Sequence, residues 1–232
     1  MGAAPLNKAP STAVPSELAP LTAPIGEVVA SRLRDIADFP IPGVTFKDFT
    51  PLLSDGPALR AVVQDISSRY SDGVDVVVGI EARGFIFGAA VAYELGIGFV
   101  PVRKAGKLPG ETHSETYDLE YGSAVIEIHT DALASGTRTL VIDDILATGG
   151  TAAATCELNA HAGRRVAAVE VLVELGLLGG RTKLSAGPVH SQVLVAGQQT
   201  EPGRAETVPG APCATTPPAE SAEARRGERG VL

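Results

Sequence analysis

Tryptophan is absent from this 232-residue chain, methionine occurs once and aromatic residues make up only 4%. A core must therefore rest on Val, Leu, Ile and Ala rather than on large rings. Cysteine is scarce: Cys156 and Cys213 stand alone, with no C-x-x-C. That excludes a disulfide scaffold, no structural disulfide is expected, and the pattern fits a reducing cytoplasm. No apolar run reaches membrane-spanning length. The first residues lack a basic stretch followed by an apolar segment, and Pro5, Pro10, Pro15, Pro20 and Pro24 punctuate them, so no secretory signal is expected. Leu6 stands where a myristoylation signal needs Ser or Thr. Positive charge is also short: 19 Lys and Arg against 27 Asp and Glu give a net charge of -8. A generally basic nucleic-acid footprint is not expected, which leaves only a local patch open, and an anionic substrate would need local neutralisation.

What is present is 44% hydrophobic residues, 26 glycines and a mean hydropathy of +0.17, which suits an α/β domain with many tight strand-to-helix turns. Residues 1–24 and 198–232 are rich in Ala, Pro and Ser and are expected to be disordered arms, because they cannot bury enough apolar surface to offset the entropy of ordering. The folded body is then 25–197. Within it, apolar spacing predicts helices over 25–37, 57–70, 84–95 and 151–162. Strands are predicted over 74–80, 99–103, 123–129, 139–142 and 166–173, with the last strand, near 187–194, left uncertain. Alternation of this kind implies a mainly parallel sheet flanked by helices, with ligands at the carboxyl ends of the strands.

One such strand end is unusual. Thr139–Ile142 runs into Asp143-Asp144, then Ile145-Leu146, then Ala147-Thr148-Gly149-Gly150-Thr151 and a helix. Five small residues let backbone N–H groups converge, and the helix behind adds unpaired N–H groups and a positive dipole end, which makes a phosphate cradle. Two carboxylates beside a phosphate make sense only if they face hydroxyls. The implied ligand carries a phosphate at one end and a diol one sugar length away, as a ribose 5-phosphate does. Other phosphate motifs fail: Gly149-Gly150-Thr151 lacks the P-loop Lys, Gly106-Lys107 is followed by Leu108, and Gly96-Ile97-Gly98 meets Pro101 where a third Gly belongs. No His pair has zinc-ligand spacing, and His129, His161 and His190 read as structural or surface residues.

This stretch resembles the phosphoribosyl pyrophosphate (PRPP) motif of type I phosphoribosyltransferases. Asp38–Asp48, Arg83-Gly84-Phe85, Arg103–Gly110 and Glu115–Gly122 extend the resemblance to the adenine phosphoribosyltransferase family over most of 30–195. The resemblance implies a type I phosphoribosyltransferase fold with a small hood region and a flexible catalytic loop at 104–121. It implies purine salvage: transfer of the 5-phosphoribosyl group of PRPP to adenine, giving AMP and pyrophosphate. It implies that Asp143 and Asp144 serve the ribose hydroxyls and Mg²⁺, and that Ala147, Thr148, Gly149, Gly150 and Thr151 hold the 5′-phosphate. Arg83, Lys107, Arg103 and Tyr121 would meet pyrophosphate, with Lys104 a weaker candidate. Phe46 would stack on adenine, with main-chain contacts from Thr45 and Lys47.

Each residue also has a plainer reading. Phe46 could be core packing, Arg83 could pair structurally with Glu81, and Lys107 could be a solvated loop residue. Spacing alone does not choose among Glu115, Asp118 and Glu120; the resemblance selects Glu120 as the acid that protonates or hydrogen-bonds the purine. Mg²⁺ is expected to be held mainly by substrate pyrophosphate and ribose hydroxyls. A cytoplasmic homodimer is expected, with no nucleic-acid or membrane partner. The same chemistry on hypoxanthine, guanine, xanthine or orotate, a non-catalytic PRPP-sensing regulator, and a nucleotide-binding partner protein are the alternatives.

Overall fold

The computed structural model describes residues 23–118 and 123–196. Its frame is a seven-stranded sheet of order β5-β6-β4-β3-β7-β8-β9. The strands are β3 (Val76–Ile80), β4 (Gly98–Lys104), β5 (Thr112–Asp118), β6 (Ser123–His129), β7 (Arg138–Leu146), β8 (Arg165–Leu175) and β9 (Val189–Val195). From β4 to β9 neighbours run parallel; the β5–β6 hairpin joins β4 antiparallel. A separate ribbon, β1 (Arg34–Ile36) against β2 (Phe46–Asp48), supplies the small hood.

The sheet is buried on both faces, so its central strands read as unbroken apolar runs. Alternation still sorts the side chains. Val77, Leu140, Ile142 and Leu172 pack with residues of α1 (Ile25–Ala30), α2 (Thr50–Ser54), α3 (Gly56–Arg69) and α4 (Arg83–Leu95). Val76, Val78, Ile80, Val141 and Val171 pack on the other face against α5 (Gly150–His161). Buried Glu170 on β8 accepts hydrogen bonds from Arg69, Tyr70 and Gln192, tying α3 to β8 and β9.

Four element expectations need correction. The helix expected over 25–37 stops at Ala30, and Arg34–Ile36 is a strand. There, cross-ribbon pairing and the ion pairs Arg34–Asp48 and Lys47–Asp35 outweigh a helical apolar spacing. The strand expected over 139–142 continues to Leu146, carrying Asp143 and Asp144 inside the ladder, because β8 runs alongside and pairs Asp143 with Val171. Within the expected loop 104–121, Thr112–Asp118 forms β5 against β6. The uncertain last strand is β9, parallel to β8 without an intervening α-helix.

Candidate active site

After β7, the chain turns through Ala147 and Thr148 to Gly149, at φ +78°, and α5 starts at Gly150 without a side-chain cap. The amides of its first turn are therefore available, and the helix dipole presents its positive end there. Asp143 and residues 145–152 line a concavity of about 70 Å³ at this point.

The two acids divide. Adjacent residues of a strand face opposite ways. Half-buried Asp143 lines the concavity, and its Oδ1 accepts from the Asp144 amide at 2.9 Å. Asp144, 6% exposed, turns the other way and pairs with Arg83, Nε to Oδ2 at 2.5 Å. Burial first, then the Asp144 carboxylate, push the Asp143 carboxyl well above its usual range. Helix α4 reaches this strand closely because position 84 has no side chain: a Cβ there would lie 2.7 Å from the Ile142 carbonyl oxygen and 3.1 Å from Asp143 Oδ1.

Arg83, in the first turn of α4, links the acids to the hood. Its guanidinium lies 5.0 Å from the Phe46 ring centroid and 5.4 Å from that of Phe49. Nη1 donates to the Lys47 carbonyl oxygen at 3.4 Å. The plain alternative for Arg83, a pair with Glu81, is not what forms. Phe46 is half-buried, Thr45 is exposed, and Phe39 meets Phe46 edge-on at 5.1 Å. The Lys47 ammonium is engaged by Asp35 at 2.7 Å, which leaves its main chain as the part that faces Arg83.

Glu81, at the end of β3, is the residue that sequence reasoning missed as a participant. It pairs with both Arg103, at 3.0 Å, and Lys107. Arg103 Nη1 also donates to the Lys107 carbonyl at 3.1 Å. Burial would raise the Glu81 carboxyl, but hydrogen bonds from Lys107 and Arg103 outweigh it and hold it below its ordinary range. Its place after the β3 apolar run, at the ligand end of the sheet, was the available signal. Arg83, Arg103 and Lys107 are thus drawn around the β3–α4 turn, while Lys104 ends β4. Glu120 and Tyr121 lie outside the described residues.

A Mg²⁺ site can be tested on these groups. Among the described residues no cluster of three or more His, Cys, Asp or Glu side chains could cage a metal. Asp143 and Asp144 are the carboxylates of this strand end that could contribute oxygen ligands to a substrate-borne ion.

Residues 53–177 match the family described as "Phosphoribosyl transferase domain". An adenine phosphoribosyltransferase of Salinispora tropica is 57% identical over 170 residues, 73% of this chain and 90% of the relative. The crystal structure of the adenine phosphoribosyltransferase from Thermoanaerobacter pseudethanolicus superposes with TM-score 0.71 at 44% identity, over 73% of this chain and 99% of that one. The Saccharomyces cerevisiae enzyme, complexed with an imino-altritol bisphosphate and adenine, superposes with TM-score 0.70 at 38% identity, over 73% and 98%.

Proposed function

This chain belongs to the adenine phosphoribosyltransferase family, and from that premise we propose how its residues carry out transfer of the 5-phosphoribosyl group of PRPP to adenine, with AMP and pyrophosphate as products. The observation that carries the reading is one continuous track: bare amides at the start of α5, Asp143 beside them, Asp144 paired with Arg83, and Arg83 against Phe46. It supports a reading with the phosphate at the start of α5, the ribose beside the acids and the base at Phe46.

In this reading the 5′-phosphate sits on Ala147, Thr148, Gly149, Gly150 and Thr151, held by amides and the α5 dipole. Asp143, which lines the concavity, and Asp144, once Arg83 leaves it, serve the ribose hydroxyls, and the negative charge of the Asp144 carboxylate favours the oxocarbenium character that develops as C1 loses pyrophosphate. Arg83, Arg103, Lys107 and Tyr121 gather on the departing pyrophosphate; Arg83 leaves Asp144, and the other two cations leave Glu81, to do so. The carboxylates keep these cations gathered near the β3–α4 turn, and the charge on pyrophosphate offsets the loss of the three ion pairs. Mg²⁺, carried by pyrophosphate and the ribose hydroxyls beside Asp143 and Asp144, would offset charge on the leaving group when bound. Adenine stacks on Phe46 and meets the main chain of Thr45 and Lys47. The base nitrogen bonds to C1 as the C1–oxygen bond to pyrophosphate breaks, and its N–H proton is released; Glu120 hydrogen-bonds or protonates the other nitrogen of the imidazole side as this happens, and the segment 104–121 excludes water from the activated sugar.

The same reading makes the protein a homodimer in the cytoplasm. No described helix is long and apolar enough to cross a membrane, and buried Cys156 is a free thiol, which suits a reducing compartment.

The test is pyrophosphate release from PRPP with Mg²⁺ on adding adenine, hypoxanthine, guanine, xanthine or orotate separately. Release is expected with adenine. Release with a different base instead would reassign the specificity, and none with any base would overturn the activity.

A further inference from the structure

The phosphate loop is built of small residues. Ala147, Gly149 and Gly150 offer no side chain long enough to hold its shape, yet its amides must converge on one anion. What it rests on is a segment thirty positions further along the chain. A Cβ built on Gly180 would lie 2.2 Å from the Ala147 carbonyl oxygen and 2.8 Å from the Gly149 nitrogen; one built on Gly149 would lie 2.3 Å from the Gly180 carbonyl oxygen. The two backbones are in direct contact. Gly180 does not have a positive φ, so smallness, not conformational freedom, is what this position uses.

Gly180 is itself held. Arg181 donates through Nε to Glu174 Oε1 at 2.9 Å and through Nη2 to the other carboxylate oxygen. It also donates to the Val189 carbonyl at 2.5 Å and to Ser191 Oγ at 3.3 Å, while Ser191 Oγ donates to Glu174 at 3.0 Å. Glu174 pairs with Leu146 in the β7–β8 ladder, the last strand residue before the loop. A closed circuit results: Leu146 leads into the loop, Gly180 presses on the loop, and Arg181 returns to the β8 residue beside Leu146.

We propose that Gly180, fixed by the Arg181–Glu174 pair, is a positioning residue that sets the shape of the phosphate loop and with it the affinity for sugar 5-phosphates. The inference rests on the phosphate reading of residues 147–151 given above. A loop preorganised from outside need not be ordered at the moment of binding, and that saving appears in phosphate affinity alone.

The experiment uses the full chain and ribose 5-phosphate as probe, measured by calorimetry, with KM for PRPP and for adenine and the melting temperature beside it. In Gly180→Ala the new methyl group must push Ala147 and Gly149 away. Ribose 5-phosphate affinity is expected to fall and KM for PRPP to rise by roughly tenfold or more, the range that an ångström-scale misplacement costs, while KM for adenine stays at the wild-type value. Arg181→Ala, which adds no atom, is expected to produce the same selective loss and covers the case in which Gly180→Ala fails to fold. Wild-type ribose 5-phosphate affinity in either folded variant, or an equal loss toward adenine, would overturn the proposal. Absence of ribose 5-phosphate binding by the unaltered protein would instead remove the phosphate reading on which it stands.

Discussion

Single side chains carry the sharpest consequences. Glu120→Gln keeps shape but removes the acid, and kcat for adenine is expected to drop by roughly 10²-fold or more, the usual contribution of a general acid or base; steady-state kinetics on PRPP and adenine read this directly. Asp143 makes a different statement, because its carboxyl is held well above its ordinary range by burial and by Asp144. The folded protein therefore binds that proton more tightly than the unfolded chain does. The stability this confers is present at acidic pH and lost as pH rises through the raised value. Asp143→Asn is expected to melt higher than the parent at neutral pH, with the gap closing toward about pH 4. The same change, and Asp144→Asn, should weaken PRPP binding by about tenfold or more, the worth of a hydrogen bond to a charged group. Melting curves across pH and PRPP titrations check the two halves separately; unaltered PRPP affinity would remove the diol role. Asp143 and Asp144 were legible as a pair from sequence. Their division, one toward the concavity and one onto Arg83, came from strand alternation once β7 was seen to continue through them.

At the scale of elements, the hood ribbon shows how a short unit is held. A three-residue strand pair has little stability of its own. Asp48 supplies the pin: it accepts from the Thr50 hydroxyl at 2.6 Å and amide at 2.9 Å, and from Arg34 at 2.5 Å and 3.0 Å. The Thr50 bonds first, then Arg34, lower its carboxyl to about 2. A depressed carboxyl stabilises above its ordinary value, and that contribution fades as pH falls toward about 2. Asp48→Asn is accordingly expected to lower the melting temperature at neutral pH and to raise KM for adenine, since Phe46 and Lys47 belong to the same ribbon. The stability difference should shrink in acid, which melting curves would test; a difference independent of pH would mean that the carboxylate charge is not the pin. The ribbon was not legible in the sequence. Ile25, Val28, Val29, Leu33 and Ile36 fall at helical spacing, and only the partner strand, ten residues away, made Arg34–Ile36 extended.

For the molecule as a whole, relatives such as the Salinispora tropica enzyme align over 90% of their own length with 73% of this chain. The proposed division at 25–197 therefore predicts that removing 1–24 and 198–232 leaves kcat and KM for PRPP essentially unchanged; kinetics on the shortened chain check it, and a large loss would assign the arms to the enzyme. By itself the sequence determined the α/β class, the alternation of strands and helices, and the small-residue turn from β7 into α5. Each of these is local: apolar periodicity, β-branched runs and a small-residue turn before a helix act over a few residues. Tertiary structure alone decided that Arg83 meets Asp144 rather than Glu81, that Glu81 gathers Arg103 and Lys107, and that Gly180 braces Gly149. Those contacts join segments brought together only when the strands take their places in the sheet, and no spacing along the chain encodes which charge will find which partner.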